Sequence, residues 1–475
     1  MGENAVSNTR HRVVNKYVVR GLYVNSLHHL LLECSAKANA KNEVSNSGLT
    51  ITFRSKVNPK PMKFISTLLC FVALLFFNCA EKKSIQQMSD EELRAYANEL
   101  AHKFIIADGH VDFPERLKEK KIVLTEDTKS IVLSDIGGEF DYERAKKGGH
   151  TAPFMSIYIP ASYQKQNDMG KAFADSMINN VLAIPTLFPD KFALANTPAE
   201  VEANFKAGKI SLPMGMENGA PIGNDLKNVQ YFFDRGIRYI TLTHSKDNQI
   251  CDSSGDTTRT SKGLSTFGAS VVQEMNRLGM MVDISHVDDS TFYQVMNLTK
   301  VPCIASHSSA RAFAPTVRRN MTDDMIKKLG ENGGVMMINF YNAFLDSSVV
   351  NRNKSNRQKL NTLLAEKGLT TADSLAKPII EQFKKDNPSL KSDIEMVANH
   401  IDHVVKIAGI DHVGIGSDFD GVDGEVPTGL EDASRFPNLI YVLLKRGYSE
   451  SDIEKICYRN TFRVWNKVIE LAKGI

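Results

Sequence analysis

The sequence predicts a closed (β/α)8 barrel, and three observations carry that prediction. Eight short, almost wholly apolar runs are spread along the chain: Phe104–Ala107, Phe154–Ile159, Ile210–Met216, Ile237–Leu242, Met280–Ile284, Val301–Ser306, Val335–Phe340 and Val413–Gly416. Stretches of helical periodicity lie between them, as at Asp225–Arg235 and Ser265–Leu278. Strands apolar on both faces and separated by helices form parallel sheets covered on both sides, and eight such units favour closure over an open sheet. The third observation is that strand after strand ends in His, Asp or Glu, at what would be one rim of the barrel.

Length and composition agree with a single large globular unit. The chain has 475 residues, 42% hydrophobic and 24% charged, ordinary values for a soluble domain. Its net charge of +3 is a local effect, because residues 1–63 carry ten Lys/Arg against three Glu and leave the remainder net acidic. No basic surface for nucleic acid is implied. The six cysteines show neither zinc-ribbon nor disulfide-scaffold spacing.

Residues 1–61 are polar and without core periodicity, and read as an over-extended start. Met62-Lys63-Phe64 then opens a short basic segment, followed by an apolar run from Ile65 to Phe77 and by Asn78-Cys79. That is the layout of a secretory signal and too short to span a bilayer comfortably. It looks like a bacterial lipoprotein signal, with Cys79 as the lipidated residue, residues 80–88 as a polar tether and the folded domain over 89–475. The expectation is an exported protein, lipid-anchored in a bacterial envelope.

Ser89-Asp-Glu-Glu92 has the form of a capping box. Leu93, Tyr96, Ala97, Leu100 and Ala101 follow at helical spacing, so 90–103 reads as an amphipathic helix. The first strand then leads into His110 and Asp112, whose side chains share one face of an extended chain. The third ends at Glu217, the fourth at His244, the fifth at His286, the sixth at His307, the seventh at Tyr341 and the eighth at Asp418. Residues 343–408, rich in Lys, Asn and Ser, read as a helical insertion before the last strand.

Four histidines and three carboxylates meeting at one mouth exceed a single tetrahedral site. Two divalent ions need a shared carboxylate, and Glu217 lies between the other pairs around the barrel. The economical assignment puts His110, Asp112 and Glu217 on one ion, and Glu217, His286 and His307 on the other. Asp418 is then free to take the proton of a bridging water and pass it to a leaving amine. His244 is free to hydrogen-bond the oxyanion of an attacked carbonyl. Asp108 and Asp420 are expected to orient ligand imidazoles as hydrogen-bond acceptors. His150, His400 and His403 are expected to be structural.

His110-Val-Asp112, Gly215-Met-Glu217, Leu242-Thr-His244, Asp283-Ile-Ser-His286, Ala305-Ser-His-Ser-Ser309 and His412-Val-Gly-Ile-Gly-Ser-Asp-Phe-Asp-Gly421 resemble the membrane (renal) dipeptidase family, the M19 metallopeptidases. The likeness spans roughly residues 104–466 and implies a TIM barrel of the metal-dependent hydrolase type. It implies two zinc ions on the same five ligands, a dipeptide substrate hydrolysed by a metal-bridging hydroxide, and homodimers as in many members. It also implies an arginine that clamps the substrate carboxylate, matched by Arg319, with Arg318 and Arg311 as neighbouring alternatives and Tyr341 lining the pocket. Two other readings are a dinuclear-metal hydrolase of another small amide or lactam, and a non-catalytic envelope lipoprotein that uses the barrel for binding.

Overall fold

The structure, a computed structural model, describes residues 84–474 apart from 135, 136, 165, 166 and 389. The expected signal segment 62–79, Cys79 included, lies outside the described residues.

Helix α1 (Asp90–Lys103) starts at the expected box: the Ser89 side chain accepts from the Glu92 N–H at 3.2 Å, and the Glu92 carboxylate accepts from the Ser89 N–H at 2.8 Å. Its buried face is Leu93, Tyr96, Ala97, Leu100 and Ala101, the set that the spacing singled out. The Phe104 N–H still bonds the Leu100 carbonyl. The first strand therefore begins later than expected, at β1 (Ala107–Val111), and carries His110 within it. Helix α2 (Phe113–Glu119) follows directly, with Pro114 in its first turn.

Ten strands are formed among the described residues. Besides β1 they are β2 (Ala152–Tyr158), β3 (Phe192–Leu194), β4 (Ile210–Leu212), β5 (Met214–Glu217), β6 (Ile237–Thr241), β7 (Met281–Asp283), β8 (Ile304–Ser308), β9 (Val335–Ile338) and β10 (Val413–Ile415). Eight of them close a parallel barrel in the order β1-β10-β9-β8-β7-β6-β5-β2. The single strand expected over Ile210–Met216 is two strands. Pro213 has no N–H to give a ladder, and it separates β4, which pairs with β3 outside the barrel, from the barrel strand β5. Between β9 and β10 lie helices Asn342–Leu345, Ser347–Ala365 and Lys377–Asp386, and then α3 (Ile394–Ala408).

The barrel interior is filled, not hollow. Trp465 from the closing helix and Phe154 meet with their rings tilted and centroids 5.2 Å apart, and Phe154 meets Tyr239 at 5.5 Å. Tyr239 fits because residue 215 is glycine: a Cβ there would lie 1.9 Å from the Tyr239 ring. Gly109 serves the same end, since a Cβ would come within 2.3 Å of the Ser306 carbonyl. At the seam between the first and last strands, the buried Asp108 carboxylate accepts from Ser417 N at 2.7 Å, from Ser417 Oγ and from His110 N at 3.2 Å. Outside the barrel α1 packs on the helix α4 (Phe436–Lys445), with the Arg94 guanidinium 3.9 Å above the Tyr441 ring.

Candidate metal centre

Five side chains converge at the carboxyl end of the barrel. Glu217 closes β5, and its two oxygens face different partners. Oε2 lies 3.4 Å from His110 Nε2, which in turn lies 3.2 Å from Asp112 Oδ2. Oε1 lies 3.0 Å from His286 Nε2 and 3.2 Å from His307 Nε2, and those two nitrogens are 2.9 Å apart. Ligands about 2.0–2.1 Å from a tetrahedral ion stand roughly 3.3 Å from one another, so both trios have the spacing of a coordination shell. His110 Nε2 and Asp112 Oδ1 are buried without a hydrogen-bond partner. Unpaired buried polar atoms are costly, and a cation would satisfy them. The donor set of imidazoles and carboxylates suits a divalent metal. Asp418 also comes within reach of His110 and His307, as a third grouping.

Hydrogen bonds behind the ligands settle which imidazole nitrogen faces inward. Tyr239 Oη gives its one proton to the Gly109 carbonyl at 2.9 Å and so accepts from His110 Nδ1, also at 2.9 Å. Ser306 Oγ gives its proton to Asp283 at 2.6 Å and so accepts from His307 Nδ1 at 2.8 Å. Asp283 is itself fixed by the Ser285 and Ser306 N–H groups and by Thr241 Oγ1. Each imidazole therefore keeps Nε2 for the cage. These acceptors are not the ones expected from sequence. Asp108 holds backbone and Ser417, with the non-ligand His150 3.4 Å away, instead of a ligand imidazole. Asp420 accepts from Arg116 at 2.7 Å and from the Glu139 N–H at 2.6 Å. Both carboxylates are one or two bonds too far back, in the seam and under the loop.

The charges are crowded in a way that a cation would relieve. Burial, then Asp112 and Glu217, push the Glu115 carboxyl up to about 9. Burial and the same carboxylates raise Asp418 to about 7, against the pull of His110. His307 is driven down to about 3 by burial first and then by His110. His286 and Asp418 both adopt left-handed backbone, φ 67° and 64°, a conformation costing about 1–2 kcal/mol outside glycine. Strain of that kind gathers at functional positions.

The comparisons with known proteins agree with this geometry. The family model for membrane dipeptidase, peptidase family M19, matches residues 94–475. The chain belongs to that family. Among relatives, it is 32% identical to an uncharacterized dipeptidase of Schizosaccharomyces pombe, over 78% of this chain and 83% of that protein. It is 31% identical to the dipeptidase tcpJ of Claviceps purpurea, over 77% of each. The probable dipeptidase PvdM from Pseudomonas aeruginosa superimposes with a TM-score of 0.67 at 26% identity, over 80% of this chain and 99% of that one. A metallopeptidase from Rhodobacter sphaeroides, solved with a phosphinate mimic of the dipeptide L-Ala-D-Ala, gives 0.63 at 26% identity, over 77% and 99%. The protein is thus a metallo-dipeptidase on a (β/α)8 barrel.

Around the cage of this dipeptidase lies a cleft of about 330 Å³, lined by His244, His286, Tyr158, Tyr341, Phe344 and Asp418 among others. His244 stands with Nε2 3.8 Å from Glu217 and its ring edge-on to Tyr158, centroids 4.8 Å apart. Asn339 donates to Asp418 Oδ2 at 2.8 Å. Arg319 sits behind the cleft wall, donating to Ser308 Oγ at 2.7 Å and to the His307 carbonyl at 2.6 Å, with its Nε unpartnered. The alternatives are engaged elsewhere: Arg311 forks onto Asp289 and Arg318 reaches towards Asp288. His150, His400 and His403 belong to none of the ligand groupings; His400, for example, accepts from Ala310 N and donates to the Leu345 carbonyl. Sequence reading missed Tyr239, Ser306, Asp283 and Asn339. The one available signal was position: Tyr239 shares the inward face of its strand with Thr241.

Proposed function

We propose that the dipeptidase works with two zinc ions, one held by His110, Asp112 and Glu217 and the other by Glu217, His286 and His307. The observation that carries this reading is the divided Glu217 carboxylate, each oxygen turned to its own trio. Zinc, when bound, acidifies water and polarises a carbonyl. The chain's own groups do the rest. Asp418, raised towards neutrality and steadied by Asn339, takes a proton from the attacking water and delivers it to the departing amine, a transfer that works best near the operating pH. His244, held neutral chiefly by burial, donates to the oxygen that becomes negative as the carbonyl is attacked. Arg319 pairs with the dipeptide's free carboxylate through guanidinium N–H groups left over from Ser308 and His307, and Tyr341 lines the cleft near Asp418.

Metal analysis beside a dipeptide assay tests the proposal. The purified protein is expected to hold two zinc ions per chain and to cleave dipeptides, and Glu217→Gln to lose both ions and activity. A wild-type protein with two zinc ions that cleaves no dipeptide, or an active E217Q with full zinc, refutes it.

Export and lipid attachment at Cys79, to a bacterial envelope membrane, is the reading that the basic start at Met62-Lys63, the apolar Ile65–Phe77 and the following cysteine support. Incorporation of a labelled fatty acid that Cys79→Ser abolishes is the expected result; no incorporation overturns it. Among the described residues no helix is long and apolar enough to cross a membrane. A homodimer, supported by the family resemblance, is checked by light scattering on the purified protein.

A further inference from the structure

The rim of the cleft carries charge that the reaction above does not use. Glu115 on α2, and Asp423 and Glu425 in the loop after β10, line the same cavity as Asp112 and Asp418. Among the described residues none of the three makes an ion pair with Lys or Arg. Glu425 Oε2 is shut off from solvent with no hydrogen-bond partner, and an unpaired buried carboxylate oxygen calls for a donor. The loop is preformed: Glu425 N bonds the Val422 carbonyl, Asn342 N bonds the Glu425 carbonyl and Lys391 bonds the Gly424 carbonyl at 3.1 Å. A solvated surface acid needs no such scaffold.

The strand order fixes where this charge lies relative to a substrate. Going round the rim, β1 and β10 are neighbours, followed by β9, β8, β7 and β6. Glu115, Asp423 and Glu425 follow β1 and β10, whereas Arg319 and His244 follow β8 and β6 on the far side. A dipeptide with its carboxylate at Arg319 and its peptide bond over Glu217 therefore sends its amino-terminal residue into the acidic sector. The α-amine satisfies one carboxylate, and Asp423 and Glu425 both stand there beside the Glu115 carboxyl. We propose that this sector selects dipeptides whose amino-terminal residue has a cationic side chain, of the lysine or arginine class, with the Tyr158 ring beside it for the stem and the charge. The inference rests on the dipeptidase reading above.

The test compares Lys-Ala with norleucine-Ala, nearly the same shape without the charge, and with Glu-Ala, in the zinc-loaded full chain. Lys-Ala is expected to exceed norleucine-Ala in kcat/KM by about tenfold or more at low ionic strength, with Glu-Ala the poorest. The preference is expected to shrink in roughly 0.5 M NaCl. In the double variant Glu115→Gln, Glu425→Gln the Lys/norleucine ratio is expected to fall towards one. Should that variant not fold, the wild-type ratio and its salt dependence decide the matter. Hydrolysis of norleucine-Ala equal to or better than Lys-Ala, or a double variant that folds and keeps the ratio, overturns the proposal and leaves the acids as a solvated rim. Failure of the wild-type enzyme to cleave any dipeptide, Ala-Ala included, instead overturns the dipeptidase reading itself.

Discussion

Replacing Tyr239 by phenylalanine removes one oxygen and nothing else from the barrel axis. The ring keeps its place over Gly215, so packing is preserved, but His110 Nδ1 and the Gly109 carbonyl each lose a partner at 2.9 Å. His110 is wholly buried, and leaving its N–H unpaired costs about 1–3 kcal/mol. Its ring is then no longer fixed with Nε2 towards Asp112 and Glu217. Loss of such an outer partner weakens a metal site by about 10–100-fold. On the two-zinc proposal, titrating zinc against a chromophoric chelator separates two equivalents, and Y239F is expected to weaken one of them by that factor and spare the other. Ser306→Ala, which takes the acceptor from His307 Nδ1, is expected to weaken the other equivalent instead. Circular dichroism confirms that both variants fold. If both equivalents bind Y239F as tightly as wild type, within about twofold, the hydroxyl does not set the imidazole and the reasoning fails.

Other outcomes follow from the same geometry. Gly215→Ala would drive a methyl to 1.9 Å from the Tyr239 ring; overpacking of this severity is expected to cost about 3 kcal/mol or more, read as a lowered urea midpoint, and an unchanged midpoint refutes it. Asp418→Asn keeps the shape beside Asn339 and is expected to lower kcat by about 10²–10⁴-fold with zinc content retained; a loss below tenfold excludes Asp418 as the proton carrier. His400 accepts at Nδ1 and donates at Nε2, so a second proton has no place, and burial lowers it to about 4. Because the unfolded chain binds that proton first, stability is full above the ordinary histidine range and declines from about pH 6.5 to 4, by about 3 kcal/mol. Urea midpoints across that window should fall less steeply in His400→Gln, and equal slopes count against the assignment.

How much of this could be read from the sequence depended on whether a residue announces itself by period or by partner. The barrel strands were legible because burial on both faces leaves unbroken apolar runs, and the ligands because a charged or imidazole side chain at the end of such a run has little structural reason to be there. Pro213 was visible but its effect was not read, although a missing N–H inside an apparent strand is a local signal. Tyr239 and Ser306 were not legible: a tyrosine inside a strand looks like core, and only the closed barrel brings its hydroxyl to a histidine on β1. Asp108 and Asp420 misled for the complementary reason. They are near the ligands along the chain but point into the seam and the loop. Arg319 came from family likeness, and the structure adds that both rival arginines already hold aspartates.

The Asp108 seam has a consequence for the chain as it is made. One carboxylate ties the opening strand to Ser417, next door to Asp418, so the last piece of the barrel brings in the clasp together with the residue proposed to carry the proton. The five cage residues all precede β9 and are synthesised well before that. On that proposal, a nascent or truncated chain lacking the final strand gathers its histidines but has nothing to move a proton, and activity waits for the ring to shut.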